Sequence, residues 1–308
     1  MTLDERIAAA RTGAAVGPVE ARGVLRITGR GARDFLHRMS TQHLQALPED
    51  GSAYAAFLEG KGHLVGEGLV VARKDELLYL TEPGEVAILL PHLRKYVLAA
   101  PVKVEDASAA LRSMAVLGPG SLDRARAAVL ASSIPAVVAA TPRRGVAAAE
   151  VIGAEADLVR LRAALVQGGA ADLEAADLEV LRIEEGMPLY GVDMDGERLP
   201  MEAGLTRDAI HFQKGCYLGQ EVVLRATVRG QIQKGLVQLE LPPGAEPGMA
   251  IHAGDREVGR VTSAADTTRG RLGLGYVRRA HWNPGERLAS PAGEVVVRRV
   301  MVEEPAPG

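Results

Sequence analysis

Over the first two thirds of the chain the apolar positions switch between two periods. Residues 23–29, GVLRITG, form a strand-like run, and 32–40, ARDFLHRMS, carry Phe35, Leu36 and Met39 at helical spacing. Three further strand-like runs fill 52–83, with Gly60–Gly62 and the polar stretch 73–76 as turns. Residues 84–100, GEVAILLPHLRKYVLAA, predict a helix with a kink or start at Pro91. Strands are expected at 102–108 and 112–120, and a helix at 122–132. An amphipathic helix follows over 156–169, closed by Gly168 and Gly169. Helices and antiparallel hairpins mixed in this way predict an α+β fold rather than a doubly wound sheet.

The pattern changes after about residue 234. The runs 235–244, 249–254, 256–264, 271–277 and 293–302 are short and punctuated by Gly, Pro and Asp, which predicts a small β-barrel. A domain boundary is expected near 228–234, and the tail EEPAPG is expected to be disordered.

Composition narrows the picture. The 308 residues suggest about two domains. Aromatic residues make up only 3%, so the core must be aliphatic. The formal net charge of −3 gives no bulk reason to expect nucleic acid, and the arginine clusters at 143–145, 277–279 and 297–299 are short. No apolar run reaches membrane-spanning length. The opening residues 1–13 predict a polar amphipathic helix without the features of a signal or transit peptide. The single cysteine forms no internal disulfide, and the seven histidines show no metal-ligand spacing. A cytoplasmic, reducing compartment and no bound metal are the expectations. The stretch GRGARD at 29–34 lacks the third glycine of a dinucleotide fingerprint and is expected to be a strand-to-helix turn. GVDMDG at 191–196 lacks EF-hand spacing and is expected to be a turn as well.

Two segments carry candidate chemistry. On the helix expected from residue 177, Glu184 shares a face with Val180 and Leu181, while Arg182 points nearly the opposite way. A carboxylate on an apolar face is costly unless partnered. It belongs either to an internal ion pair or under a pocket, where it accepts parallel N–H donors from a heterocycle. The second segment is KGCYLGQE, 214–221, with the only cysteine. A helix from Gln220 and a nearby Lys214 would favour the thiolate of Cys216. The alternative is a small buried hydrophobe.

Together these segments support a resemblance. RIEEGMPLYGVDMDGERLPMEAGL (182–205) resembles the R-x-E-x-G region of the glycine-cleavage T-protein (aminomethyltransferase) superfamily. KGCYLGQEVVLRATVRGQIQKGL (214–236) is similar to the hallmark of its YgfZ branch. The resemblance also covers 31–65 and the barrel, and so nearly the whole chain. It implies a ring of α+β and barrel parts, with a folate-binding region over 1–230 made of two interleaved subdomains and a barrel over 234–304. It implies tetrahydrofolate or a derivative as cofactor. Glu184 would hold the pterin, with Arg182, Tyr190, Gly215, Tyr217, Gly219, Gln220 and Glu221 around the ligand. Cys216 and Lys214 would be the catalytic pair. It further implies partners among iron–sulfur proteins or their assembly factors, and a link to tRNA modification.

One departure separates the branches. Transferases of the superfamily carry an Asp pair where this chain has Gly66 and Glu67, and the longer Glu side chain would shift the carboxylate. The leading expectation is therefore a tetrahydrofolate-binding accessory protein for iron–sulfur cluster assembly or repair. One cysteine supplies only a quarter of the usual cluster ligation, so any cluster role is shared. The alternatives are a folate-dependent aminomethyltransferase or demethylase using Glu67, and a tRNA-binding module. Under the leading expectation Cys216→Ser leaves folding intact and abolishes function in vivo. Full complementation of a deletion strain by that variant would overturn it.

Overall fold

Helix α1 (Leu3–Thr12) opens on a capping box: Glu5 N donates to the Thr2 hydroxyl at 3.3 Å and Thr2 N donates to the Glu5 carboxylate at 2.7 Å. The computed structural model describes residues 1–97, 101–142, 144–228 and 232–303. The boundary expected near 228–234, Arg143 of the first arginine cluster, the end of the 84–100 run and the tail after 303 lie partly or wholly outside the described residues.

Strand β1 (Ala15–Glu20) is followed by a departure into a second sheet. That sheet contains β2 (Gly23–Thr28), β3 (Ser52–Leu58), β4 (Leu64–Ala72), β5 (Glu76–Thr81) and β6 (Lys103–Asp106), in the antiparallel order β3-β4-β5-β2-β6. Helix α2 (Ala32–Met39) and helix α3 (Val86–Arg94) cover one face. Phe35, Leu36, Leu89 and Leu93 pack there on Leu25, Ile27, Phe57 and Tyr79. The chain then returns to β1 with β7 (Arg112–Leu117), β8 (Val137–Thr141), β9 (Ala148–Gly153) and β10 (Ala171–Asp172), in the order β10-β1-β7-β9-β8. Helix α4 (Ser121–Ser132) and helix α5 (Glu155–Gln167) back this sheet. One α+β unit is thus inserted into another. The remaining faces of the two sheets meet through Val24, Leu69, Val71, Leu78 and Leu80 against Ala139 and Ile152.

Helix α6 (Ala175–Glu185) ends at Gly186, which is left-handed at φ +75°. The following segment includes α7 (Thr206–Ala209) and α8 (Gln220–Val228). It packs Tyr190, Met194, Met201, Leu205, Tyr217 and Val223 on Tyr54, Ala56, Leu58 and Leu64 of the second sheet. Strands β11 (Lys234–Glu240), β12 (Ala250–Ala253), β13 (Arg256–Thr267), β14 (Gly270–Arg278), β15 (Arg287–Ser290) and β16 (Gly293–Val300) form a closed barrel. Its interior is aliphatic, built on Val237, Leu239, Val261, Val277, Val295 and Val297. The α+β fold with a C-terminal barrel expected from the sequence is the fold observed. GRGARD forms the turn from β2 into α2.

Every residue of β4 is buried, and its one carboxylate is Glu67. Alternation along the strand turns Gly66 to the face that α3 covers. The Glu85 carboxyl lies there, accepting from Glu67 N at 2.9 Å and from the Tyr79 hydroxyl at 2.5 Å. Burial, and next the neighbouring Glu67, hold Glu85 well above the ordinary carboxylate range, which favours its neutral form. A Cβ on Gly66 would stand 2.2 Å from Glu85 Oε1. Gly66→Ala is therefore expected to cost about 1–3 kcal/mol of stability in urea denaturation. An unchanged midpoint would show that Glu85 moves aside freely.

Candidate functional site

Where the two sheets diverge beside α6 they leave a cavity of about 160 Å³. Strand pairing decides which side chains reach it. Tyr54 pairs with Leu69 and Ala56 with Glu67, so Glu67, Leu69 and Tyr54 share the cavity face. On the other sheet Glu150 stands between Ala115 and Ala139 on its neighbouring strands, whose small side chains leave room for a carboxylate. Arg144 fills that room. Its Nε donates to Glu150 Oε1 at 2.6 Å and an Nη donates to Glu20 Oε2 at 2.6 Å. Burial opposes the Arg144 charge, but the two carboxylates more than reverse this and raise its pKa.

Helix α6 forms the third wall with Leu178, Glu179 and Arg182, continued by Met187, Pro188 and Leu189. Arg182 donates through Nε to Glu179 at 2.8 Å, through Nη1 to Met187 O at 2.8 Å and to Asp193 Oδ2 at 2.6 Å. Its Nη2 donates to the other Glu179 oxygen at 2.5 Å and to Ser263 Oγ at 2.8 Å. A guanidinium has five N–H donors, so Arg182 has none left for a ligand and shapes the wall instead. Five carboxylates line the cavity (Glu20, Glu67, Glu82, Glu150, Glu179) against three guanidiniums (Arg22, Arg144, Arg182). Among the described residues the lining is therefore acidic and suits a ligand rich in N–H donors.

The opposed faces expected for Arg182 and Glu184 are observed, and it is Arg182 that lines the cavity. Glu184 is fully buried on the other side of α6. Its Oε2 accepts from Arg11 at 2.7 Å and its Oε1 from the Thr268 hydroxyl of the barrel at 2.6 Å. This is the internal ion pair left open by the sequence, with both oxygens engaged by the protein. Gln238 of the barrel donates to Ile183 O at 2.6 Å and Glu184 O at 2.9 Å, so the end of α6 is the docking post of the barrel. In the third arginine cluster Arg298 pairs with Glu240 at 3.2 Å and Arg299 donates to Glu185 O. Those charges are used within the chain.

The segment 214–221 lies apart from the cavity lining. Cys216 is exposed, four residues before α8, on a turn anchored by buried neighbours. Lys214 is only 6% exposed, and its ammonium donates to His37 O and to Ser40 O at the end of α2. It turns inward, not toward the thiol. Tyr217 packs in the cluster that contains Tyr54 and Tyr190, and its N–H donates to Gln220 Oε1 at 3.3 Å. Burial pushes Tyr190 and Tyr217 up to about 12. Gly219, at φ +81°, lies against the β3–β4 turn, where a Cβ would stand 2.6 Å from Glu59 O. Gly215 has open space around it, and Glu221 is an exposed partner of Arg225. The His37 and His43 rings meet edge to face at 5.0 Å, and the His43 and His211 rings lie tilted at 5.2 Å. No group of three or more His, Cys, Asp or Glu side chains among the described residues has metal-binding geometry.

Of the ten residues expected in the catalytic pair or around the ligand, Arg182 alone lines the cavity; Glu67, which the sequence offered only for the alternative transferase, lines it too. The carboxylates Glu67 and Glu150 were legible as lone charges inside the apolar runs LVGEGLVV and AAAEVIG. Tyr54, Glu20 and Arg144 carried no such signal.

Two interleaved α+β units with an acidic cavity beside α6, and a closed barrel docked on the end of that helix, define an architecture shared with proteins of known class. Residues 2–162 match the GCVT N-terminal domain and residues 234–306 match the glycine cleavage T-protein C-terminal barrel domain. The chain belongs to the glycine cleavage T-protein family, a family of folate-dependent, aminomethyltransferase-like proteins. It is 29% identical to an aminomethyltransferase of Rubrobacter xylanophilus over 87% of this chain and 77% of that one. It is 25% identical to a chloroplastic protein of Arabidopsis thaliana provisionally named a transferase, over 90% of this chain and 68% of that one. The glycine cleavage system aminomethyltransferase T of Bartonella henselae shares the fold, with a TM-score of 0.81 at 17% identity, over 98% of this chain and 90% of that one.

Lys214 gives a prediction of its own. Burial lowers it from 10.5 to about 7. The folded state then holds this proton less tightly than the unfolded chain, so its contribution to stability rises with pH between about 7 and 10.5 and is level below 7. Denaturation of wild type and Lys214→Met at about pH 6 and about pH 9 should show the wild type gaining on the variant at the higher pH. A constant difference would mean that Lys214 titrates normally.

Proposed function

We propose that the cavity binds the heterocyclic head of a tetrahydrofolate and that Glu67 performs acid–base work in a folate-dependent one-carbon transfer. The observation that carries this is Glu67: 5% exposed, alone in an apolar strand, and turned into an acidic cavity. It stands where the superfamily resemblance expects a carboxylate. A carboxylate turned into a cavity beside a ligand rich in N–H groups is placed to exchange a proton with it.

The lining fits the cofactor in part. At about 160 Å³ the space is below the roughly 300–1,000 Å³ of pockets that enclose drug-sized ligands. It suits a bicyclic head, with the remaining length of the molecule at the mouth. Tyr54, Leu69, Leu80, Leu178 and Leu189 offer apolar surface to a flat ring, and the carboxylates offer acceptors to its N–H groups. Tetrahydrofolate, when bound, supplies a nucleophilic ring nitrogen for the one-carbon unit. The protein's part is to orient the ring against these walls, to exclude water, and to take up or return a proton at the Glu67 carboxylate. This reverses the order expected from the sequence, in which the longer Glu67 side chain argued against a transferase.

A second reading follows the YgfZ branch: a tetrahydrofolate-binding accessory to iron–sulfur protein assembly or repair. It is favoured by the exposed Cys216 on a turn pinned from beneath by Lys214 and Tyr217. In this reading the thiol meets a partner protein while the cavity holds the folate. One set of measurements separates the two. Anaerobic calorimetry should give saturable tetrahydrofolate binding for wild type, Glu67→Gln and Cys216→Ser. Turnover with an aminomethyl or methylamine donor should fall about 10²–10⁴-fold in Glu67→Gln alone. No binding by folded wild type would sink the folate assignment. Absent turnover, with in vivo function lost only in Cys216→Ser, would decide for the second reading.

A further inference from the structure

The saturated Arg182 is held by groups beyond the cavity wall. Asp193 is buried, and its Oδ2 accepts from Arg182 at 2.6 Å and from Leu189 N at 3.0 Å. Its Oδ1 accepts from two barrel hydroxyls, Ser263 at 2.7 Å and Thr262 at 2.5 Å. Ser263 Oγ also accepts from Arg182 at 2.8 Å. A continuous path of hydrogen bonds thus runs from β13 through Asp193 and Arg182 to Glu179, Met187 and Leu189, all of which line the cavity.

The backbone of the barrel is shaped for this contact. Successive residues of a regular strand point to opposite faces, so Thr262 and Ser263 could not both address one carboxylate oxygen. The β13–β14 register shifts between Val261, opposite Gly275, and Ser263, opposite Leu274, leaving Thr262 as the extra residue of a bulge. A bulge re-aims a side chain at the cost of local pairing. Here it brings both hydroxyls to Asp193. Other docking contacts of the barrel, Thr268 on Glu184 and Gln238 on the α6 carbonyls, hold the barrel in place without touching a cavity residue.

We propose that Ser263 of the barrel is a positioning residue for the cavity, fixing through Asp193 and Arg182 the wall on which the ligand rests. The binding part of this inference depends on the folate reading above; the wall-fixing part does not. The ligand-free test is hydrogen exchange of the amides of Met187 and residues 189–194. Ser263→Ala should speed their exchange about tenfold, the effect of losing a hydrogen bond to charged partners. Ser263→Thr should retain wild-type protection, and Thr268→Val, which loses a docking contact only, should leave these amides unchanged. The ligand test is calorimetry with tetrahydrofolate, where Ser263→Ala should weaken binding about tenfold and Thr268→Val should not. Unchanged exchange in Ser263→Ala, or equal effects of Ser263→Ala and Thr268→Val, would overturn the proposal. Failure of wild type to bind tetrahydrofolate, with the exchange difference intact, would refute the folate reading and leave Ser263 as the wall's support.

Discussion

A guanidinium buried where a helix, a turn and a barrel meet must find an acceptor for each of its N–H groups, because every orphaned one costs free energy that no packing returns. Arg182 meets that demand with Glu179, Met187 O, Asp193 and Ser263. The consequence is geometric. Glu179 belongs to α6, Asp193 to the turn after it and Ser263 to the barrel, so the bonding of one side chain fixes the relation of all three. The opposite face of α6 repeats the arrangement with Glu184, which is held between Arg11 and Thr268. Two oppositely charged residues, two positions apart on one helix, thereby clamp the barrel to the α+β part from both sides.

The buried carboxylates around the second sheet show three solutions to one electrostatic problem. Glu85 accepts from Tyr79 and the Glu67 amide, and burial favours its neutral form. Glu150 and Glu20 share Arg144. Glu67 faces the cavity. The Glu85 carboxyl directly behind Glu67 accepts from its backbone N–H and ties the strand to the start of α3. That arrangement requires Gly66, since any side chain there would occupy the space of the Glu85 carboxyl. The Gly-Glu sequence of β4 is therefore a packing solution as much as a departure from an Asp pair.

Elements with strong local character were legible. The helices over 32–39, 121–132, 155–167 and 175–185, and the hairpin strands from 52 to 81, carry clear periodicity. Strands β1, β8, β9, β10 and β15 were not anticipated. β1 contains Gly17 and Pro18, and β8 and β9 are rich in alanine, which has little strand preference of its own; their neighbours make them strands. Helix periodicity correctly opposed Arg182 to Glu184, but periodicity has no means of telling which face meets a cavity and which meets a barrel. The cavity itself is assembled from residues as far apart as Glu20, Glu67, Glu150 and Arg182, and only the three-dimensional fold brings them together.

The cavity and the Cys216 turn are separate surfaces joined by one packed cluster. Tyr54 lines the cavity and also belongs to the cluster that holds Tyr190, Leu58 and Tyr217. Tyr217 directly follows Cys216, and its burial together with that of Lys214 holds the turn. Close-packed interiors transmit displacement because they contain little free volume to absorb it. Tyr54 therefore joins the cavity wall to the same cluster that supports the Cys216 turn. This explains how a chain with one cysteine, placed well outside its cavity, still belongs to a single mechanical unit. The cavity and the exposed Cys216 turn are two surfaces of one packed cluster.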